Sequence, residues 1–239
     1  MDVKVSAKPI ANNGSGLIGV AGIVFDDKYA LENIQIRESK EGNTYVTLPS
    51  YSKTVRENGM TVMENGKPKK EYIPILEPID HNAKSDLNGA ILDCFYKSRS
   101  GGGNWETQSY QLDGKFKISQ INASPYVNEQ NRITGLAEVT FGSYKLNNII
   151  VKNSKDNNEY LDLPSYRIAA RGPDGTKKLN AQGTQEYEYR DTFHPITADA
   201  QKELSDAVLN SLEGKRQLNA RGQEEHTEES LEHNMGYKR

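Results

Sequence analysis

The chain has very little of what would anchor it in a membrane or staple it together. It has one cysteine, Cys94, in 239 residues, so no intramolecular disulfide can form, and the sequence suits a reducing compartment. Cys94 falls on an apolar helical position and reads as a small buried hydrophobe rather than a nucleophile. No apolar run approaches the roughly 20 residues that span a bilayer. The start Met1-Asp2-Val3-Lys4 lacks the basic patch and hydrophobic stretch of a signal peptide. A cytoplasmic protein is expected. Excess positive charge is missing too, since 30 Lys and Arg stand against 33 Asp and Glu for a net charge of −3. A nucleic-acid binder usually carries global positive charge, so any such binding must be local. Hydrophobic residues make up 35% and charged residues 26%, the balance of a water-exposed domain with a modest core.

What the chain does have is a repeat. Gly19 to Phe25, Asn33-Ile34-Gln35-Ile36 and Tyr45-Val46-Thr47-Leu48-Pro49-Ser50-Tyr51 return as Gly135 to Phe141, Asn148 to Val151 and Tyr160-Leu161-Asp162-Leu163-Pro164-Ser165-Tyr166. Glu77-Pro78-Ile79 aligns with His194-Pro195-Ile196, each ahead of a helical pattern. The organisation read from this is a first module over 1–97, a Gly-rich linker over 98–114, a second module over 115–212 and a charged, disordered tail over 213–239.

Each module predicts strands first and one helix last. Val3, Val5 and Ala7 alternate with polar neighbours, Leu17 to Phe25 is an apolar run, and Ile34 and Ile36 alternate again after Asp26-Asp27-Lys28. Such short connections suit an antiparallel meander, because a parallel pair needs a long crossover. Tyr45 to Leu48 gives a fourth strand that Pro49 ends. Asn58-Gly59 and Asn65-Gly66 predict two tight turns in a protruding arm, for which the second module substitutes Arg171-Gly172-Pro173-Asp174-Gly175. Ala83, Leu87, Ala90, Ile91 and Phe95 share their spacing with Ala200, Leu204, Ala207, Val208 and Leu212, one apolar stripe per helix. Asp80 and Thr197 are the predicted N-caps. The fold class is α+β, two tandem modules that each lay one C-terminal helix across an antiparallel sheet.

Leu48-Pro49-Ser50, Leu163-Pro164-Ser165 and the run Tyr189-Arg190-Asp191-Thr192-Phe193-His194-Pro195-Ile196-Thr197 leading into a helix resemble the SpoVG family of septation and sporulation stage V regulators. The second module carries the resemblance more fully. The first has Ile75-Leu76-Glu77-Pro78-Ile79 there and lacks the Arg-Asp and the His. The resemblance implies a small bacterial regulator that dimerises and binds DNA, RNA or both. Members are normally single modules, so the doubled chain is expected to form an intramolecular pseudo-dimer, with a further homodimer left open.

Candidate phosphate contacts follow each Pro-Ser-Tyr: Lys53 and Arg56, with Lys67, Lys69 and Lys70 beyond the arm, and Arg167, Arg171, Lys177 and Lys178 in the second copy. The bland alternative for each is a solvated hairpin tip. Arg167 directly follows Ser165-Tyr166, where the family resemblance implies a basic residue. Tyr51 and Tyr166 are candidate base-stacking faces, with packing against a neighbouring strand as the competing role. The only tryptophan, Trp105, reads as a cover on a sheet edge or as a stacking platform. His194 near Asp191 invites an acid–base reading, but the sequence has no nucleophile elbow and no phosphate loop, and the first module no equivalent histidine. His226 and His233 in an acidic tail have poor metal spacing. No enzyme, metal or cofactor is expected. The rival to a nucleic-acid regulator is a protein-interaction module that works through exposed sheet edges.

Overall fold

The computed structural model describes residues 1–12, 14–172 and 176–235, with side chains as far as Arg221. The first half runs through β1 (Asp2–Pro9), β2 (Leu17–Phe25), β3 (Tyr29–Glu38) and β4 (Thr44–Thr47). The arm follows as β5 (Ser50–Thr54), β6 (Arg56–Glu57), β7 (Met60–Thr61), β8 (Met63–Glu64), β9 (Lys67–Pro68) and β10 (Lys70–Pro74). β11 (Leu76–Pro78), α1 (His81–Ser100) and β12 (Glu106–Gln111) complete it. The second half holds β13 (Ile118–Asn128), β14 (Ile133–Phe141), β15 (Tyr144–Asn153), β16 (Glu159–Asp162), β17 (Ser165–Ala169), β18 (Tyr187–Asp191), β19 (Phe193–Pro195) and α2 (Ala198–Met235). The fold is the α+β class read from the sequence: antiparallel sheets and one helix per half.

Local chemistry explains most of these boundaries. Asn58-Gly59 and Asn65-Gly66 turn with φ of 50° and 79°, then 50° and 75°, a left-handed pair that Asn-Gly adopts at low cost. The Asp80 carboxylate accepts the Ala83 amide at 2.7 Å and Thr197 Oγ1 accepts the Ala200 amide at 3.1 Å, so both helices have the caps that the sequence indicates. The alternating Val3, Val5 and Ala7 of β1 all face inward and are buried.

The two sheets exchange strands. One has the order β12-β1-β2-β3-β19 with β4 also on β3, and the other β11-β15-β14-β13 with β16 also on β15. β19, from the second half, therefore lies in the first sheet, where Phe193 stands opposite Leu31 and Pro195 opposite Tyr29. β11, from the first half, lies in the second sheet, where Leu76 stands opposite Leu146 and Pro78 opposite Tyr144. Backbone bonds repeat the relationship: the Ile75 amide donates to Pro49 and the Asn147 amide to Ile75, while the Thr192 amide donates to Pro164 and the Glu32 amide to Thr192.

Where the halves meet, six rings pack: Phe25, Tyr29, Phe116, Phe141, Tyr144 and Phe193. Phe116 lies between Phe25 and Phe141, stacked on each with centroid distances of 4.3 and 4.6 Å. Gly142 makes room for this segment, since a Cβ there would meet the Lys115 carbonyl oxygen at 2.3 Å.

Three boundaries differ from the sequence reading. The module limit at residue 97 does not divide the structure, because short strands cross it in both directions. The segment 98–114 is not a loose linker: α1 continues to Ser100, Gly102 and Gly103 turn the chain at φ of 100° and 78°, and β12 pairs with β1 from Ala7↔Glu106 to Asp2↔Gln111. Its alternation of Gln108 and Tyr110 with Thr107 and Ser109 is a strand pattern that the preceding glycines mask in composition. The segment 213–235 is likewise not coil, since it belongs to α2, and 236–239 lie outside the described residues. Trp105, just ahead of β12, is 57% exposed rather than a cover.

Arg216 pins the second helix. Its guanidinium donates to both oxygens of Glu159, at 2.7 and 3.1 Å, and to the Thr134 carbonyl at 3.2 Å. These bonds hold the Glu159 carboxyl below its usual range. A depressed carboxyl stabilises the fold above its unfolded pKa and loses that contribution as pH falls through its folded value. Glu159→Gln is therefore expected to cost about 1 kcal/mol at neutral pH, a difference that closes below about pH 4. Urea titrations of both proteins at several pH values check it, and a pH-independent gap would refute the ion-pair account.

Candidate nucleic-acid interface

The candidate cations lie on the arms and are exposed. In the second half, β17 pairs with β18 so that Arg167 stands opposite Tyr189 and Ala169 opposite Tyr187. The two-residue period of a strand puts Arg167, Tyr187 and Tyr189 on one face. The Arg167 guanidinium lies 4.0 Å from the centroid of the Tyr187 ring. Tyr187 is 48% and Tyr189 73% exposed, so a flat aromatic surface with a cation stacked on it faces solvent. Tyr166 and Ile168 occupy the opposite face, half-buried.

Further along this arm, the bridges Arg171↔Lys177 and Leu179↔Gln185 continue the ladder. Lys177 is exposed. Lys178 holds Glu186 at 2.9 Å, and that carboxylate raises the ammonium pKa, so much of its charge is already answered. The tip residues Pro173, Asp174 and Gly175 lie outside the described residues.

The first arm uses the same plan with different side chains. β5 pairs with β10, setting Ser52 opposite Tyr72, Lys53 opposite Glu71 and Thr54 opposite Lys70. Tyr72 is 70% exposed and shares its face with Lys70, but Ser52 stands where the second arm has Arg167. Lys53, Arg56, Lys67, Lys69 and Lys70 are exposed. Among the described residues, no ion pair engages these five, nor Arg167 or Lys177. Met60 and Met63 are exposed on the short ladders β6–β7 and β8–β9.

The structure thus gathers the candidate cations into two arms and separates them from two of the candidate aromatics. Tyr51 is half-buried against the core, and burial pushes its phenol above the ordinary value. Tyr166 shares that inward face at the equivalent position. The exposed rings on the arms include Tyr72, Tyr187 and Tyr189, which the sequence reading passed over. Their signal was the alternation Tyr187-Glu188-Tyr189-Arg190 beside a strand that contains Arg167.

His194 sits in β19 opposite Ala30, with Nδ1 buried and without a hydrogen-bond partner. No carboxylate lies within ion-pair distance of it among the described residues, so Asp191 does not fix its tautomer. Nor do the described residues gather three His, Cys, Asp or Glu side chains that could hold a metal ion, and no helix among them is long and apolar enough to cross a membrane. Cys94 is buried, donates to the Val5 carbonyl at 3.2 Å, and has its thiol pushed up by that burial.

The SpoVG family model matches residues 1–97, so the match falls on the first module and not on the second, where the motif residues are more complete. No curated protein and no solved structure matches the chain. Over residues 1–97 the chain is similar to the SpoVG family.

Proposed function

We propose that the protein is a non-enzymatic, cytoplasmic regulator that binds DNA, RNA or both through its two arms. The match of residues 1–97 to the SpoVG family points to regulation linked to septation and sporulation. The observation that carries nucleic-acid binding is the face formed by Arg167, Tyr187 and Tyr189, where exposed rings and an unpaired cation lie together on a strand ladder. Aromatic faces beside cations receive unpaired bases, at about 1–3 kcal/mol per stacked base, while cations neutralise phosphates and release counterions. The exchange of β11 and β19 supports reading the chain as a pseudo-dimer, two family modules joined as separate subunits would be.

Fluorescence anisotropy with labelled duplex DNA, single-stranded DNA and RNA over a salt series tests this reading. Binding is expected to weaken linearly on a log–log salt plot. Arg167→Glu should shallow that slope by about one unit, and Tyr189→Ala should weaken single-strand binding while leaving the slope nearly unchanged. No binding of any of the three at low salt would refute the proposal.

A further inference from the structure

The two halves differ at one sheet edge. In the first sheet, β12 covers the outer edge of β1; in the second, β13 occupies the place of β1 and nothing pairs with its outer edge among the described residues. The cause is readable in the chain. After α1, Gly101-Gly102-Gly103 turn the backbone so that β12 can return alongside β1. The register that aligns Leu87 with Leu204 puts Leu218-Asn219-Ala220 at that point, and α2 continues as helix.

The missing strand leaves apolar side chains partly uncovered. Val3 and Val5 of β1 are 1% and 0% exposed beneath α1 and β12. Their counterparts by register, Ile118 opposite Phe141 and Ile121 opposite Val139, are only half-buried. The open strand has no charged residue from Ile118 to Asn128, so its edge is guarded only by Pro125 and by register shifts near its two ends. β12 is the terminal strand of its own sheet, and from Thr107 to Gln111 it too is uncharged.

Strand spacing selects between the ways in which two copies could join. α1 lies over β1 and reaches β12, and α2 lies over β13. Joining β13 to β13 would put two α2 helices one strand spacing apart, about 4.8 Å, well inside the 8–10 Å at which helices pack. Joining β12 to β12 would leave Ile118 and Ile121 uncovered. Joining β12 of one copy to β13 of the next puts α1 two spacings from α2, roughly 9.6 Å, a normal helix-packing distance. Gln108 and Tyr110 of the incoming strand would face the α2 side, as they face α1 in their own sheet.

We infer that the β13 edge is a docking site for a second copy of this chain, entered by its β12 strand. The contact is heterologous, so successive copies join head to tail into a ring or an open chain. The test uses the full chain in sedimentation velocity over a concentration series. Gln120→Lys with Asn122→Lys charges exposed positions on β13; Thr107→Lys with Gln111→Lys charges exposed positions on β12, where Ser6 and Asp2 stand opposite. Wild type is expected to grow beyond a dimer with concentration, each variant to stay monomeric, and an equimolar mixture of the two to form a 1:1 dimer that grows no further. Circular dichroism establishes that each variant is folded, and Ser124→Lys substitutes for the β13 pair if that pair unfolds the chain. A wild type monomeric at every concentration, association untouched by either variant, or a mixture that stays monomeric would each overturn the inference.

Discussion

Phe116→Ala is expected to cost about 3–5 kcal/mol of unfolding free energy, lowering the midpoint by roughly 10 °C in a chain of this size. The ring is 3% exposed and stacks nearly parallel on both Phe25 and Phe141, with interplanar angles of 11° and 7°. Tyr29 and Tyr144 close its edges at 5.8 Å each. Deletion leaves a ring-sized void between two sheets whose backbones are fixed by their own ladders, so little collapse can fill it. Phe116→Leu keeps most of the volume and should cost less than half as much. Urea denaturation of the three proteins measures this, and an alanine variant within 1 kcal/mol of wild type would show that the halves do not depend on the ring.

That dependence could not be read from the repeat. Phe25 and Phe141 answer one another, as do Tyr29 and Tyr144, but Phe116 falls by register where the first copy has Met1, so the repeat shows no ring there. Its surroundings in sequence, Lys115 and Lys117, describe a surface loop. The helices, their caps and the Asn-Gly turns were legible because each is decided within a few residues: an apolar stripe, a carboxylate, a left-handed pair. β11 and β19 are three residues long, and nothing in Leu-Glu-Pro or Phe-His-Pro says which sheet receives them. An identical strand could pair with its own half or with the other.

The candidate site divides in the same way. Charge was legible, so the cations of both arms were found by composition. Exposure was not, because Tyr166 and Tyr189 sit on opposite faces of one ladder and only packing decides which face is wet.

Phe193→Ala should unsettle the half of the chain to which Phe193 does not belong. The ring is 0% exposed, stacks on Tyr29 at 5.7 Å and stands opposite Leu31, all within the first sheet. Its loss is expected to cost about 3–5 kcal/mol, and Leu76→Ala, in the reciprocal strand, about 2–5 kcal/mol. Strand exchange makes each sheet incomplete without the other half, so unfolding should remain one transition in both variants. The single tryptophan supplies the probe, because Trp105 adjoins β12 in the first sheet, whereas far-UV circular dichroism reports the whole chain. Both signals should move together to the same lower midpoint. If tryptophan fluorescence in Phe193→Ala kept its wild-type midpoint while circular dichroism shifted, the halves would fold independently, and the exchanged strands would decorate a pair of autonomous modules rather than bind them into one.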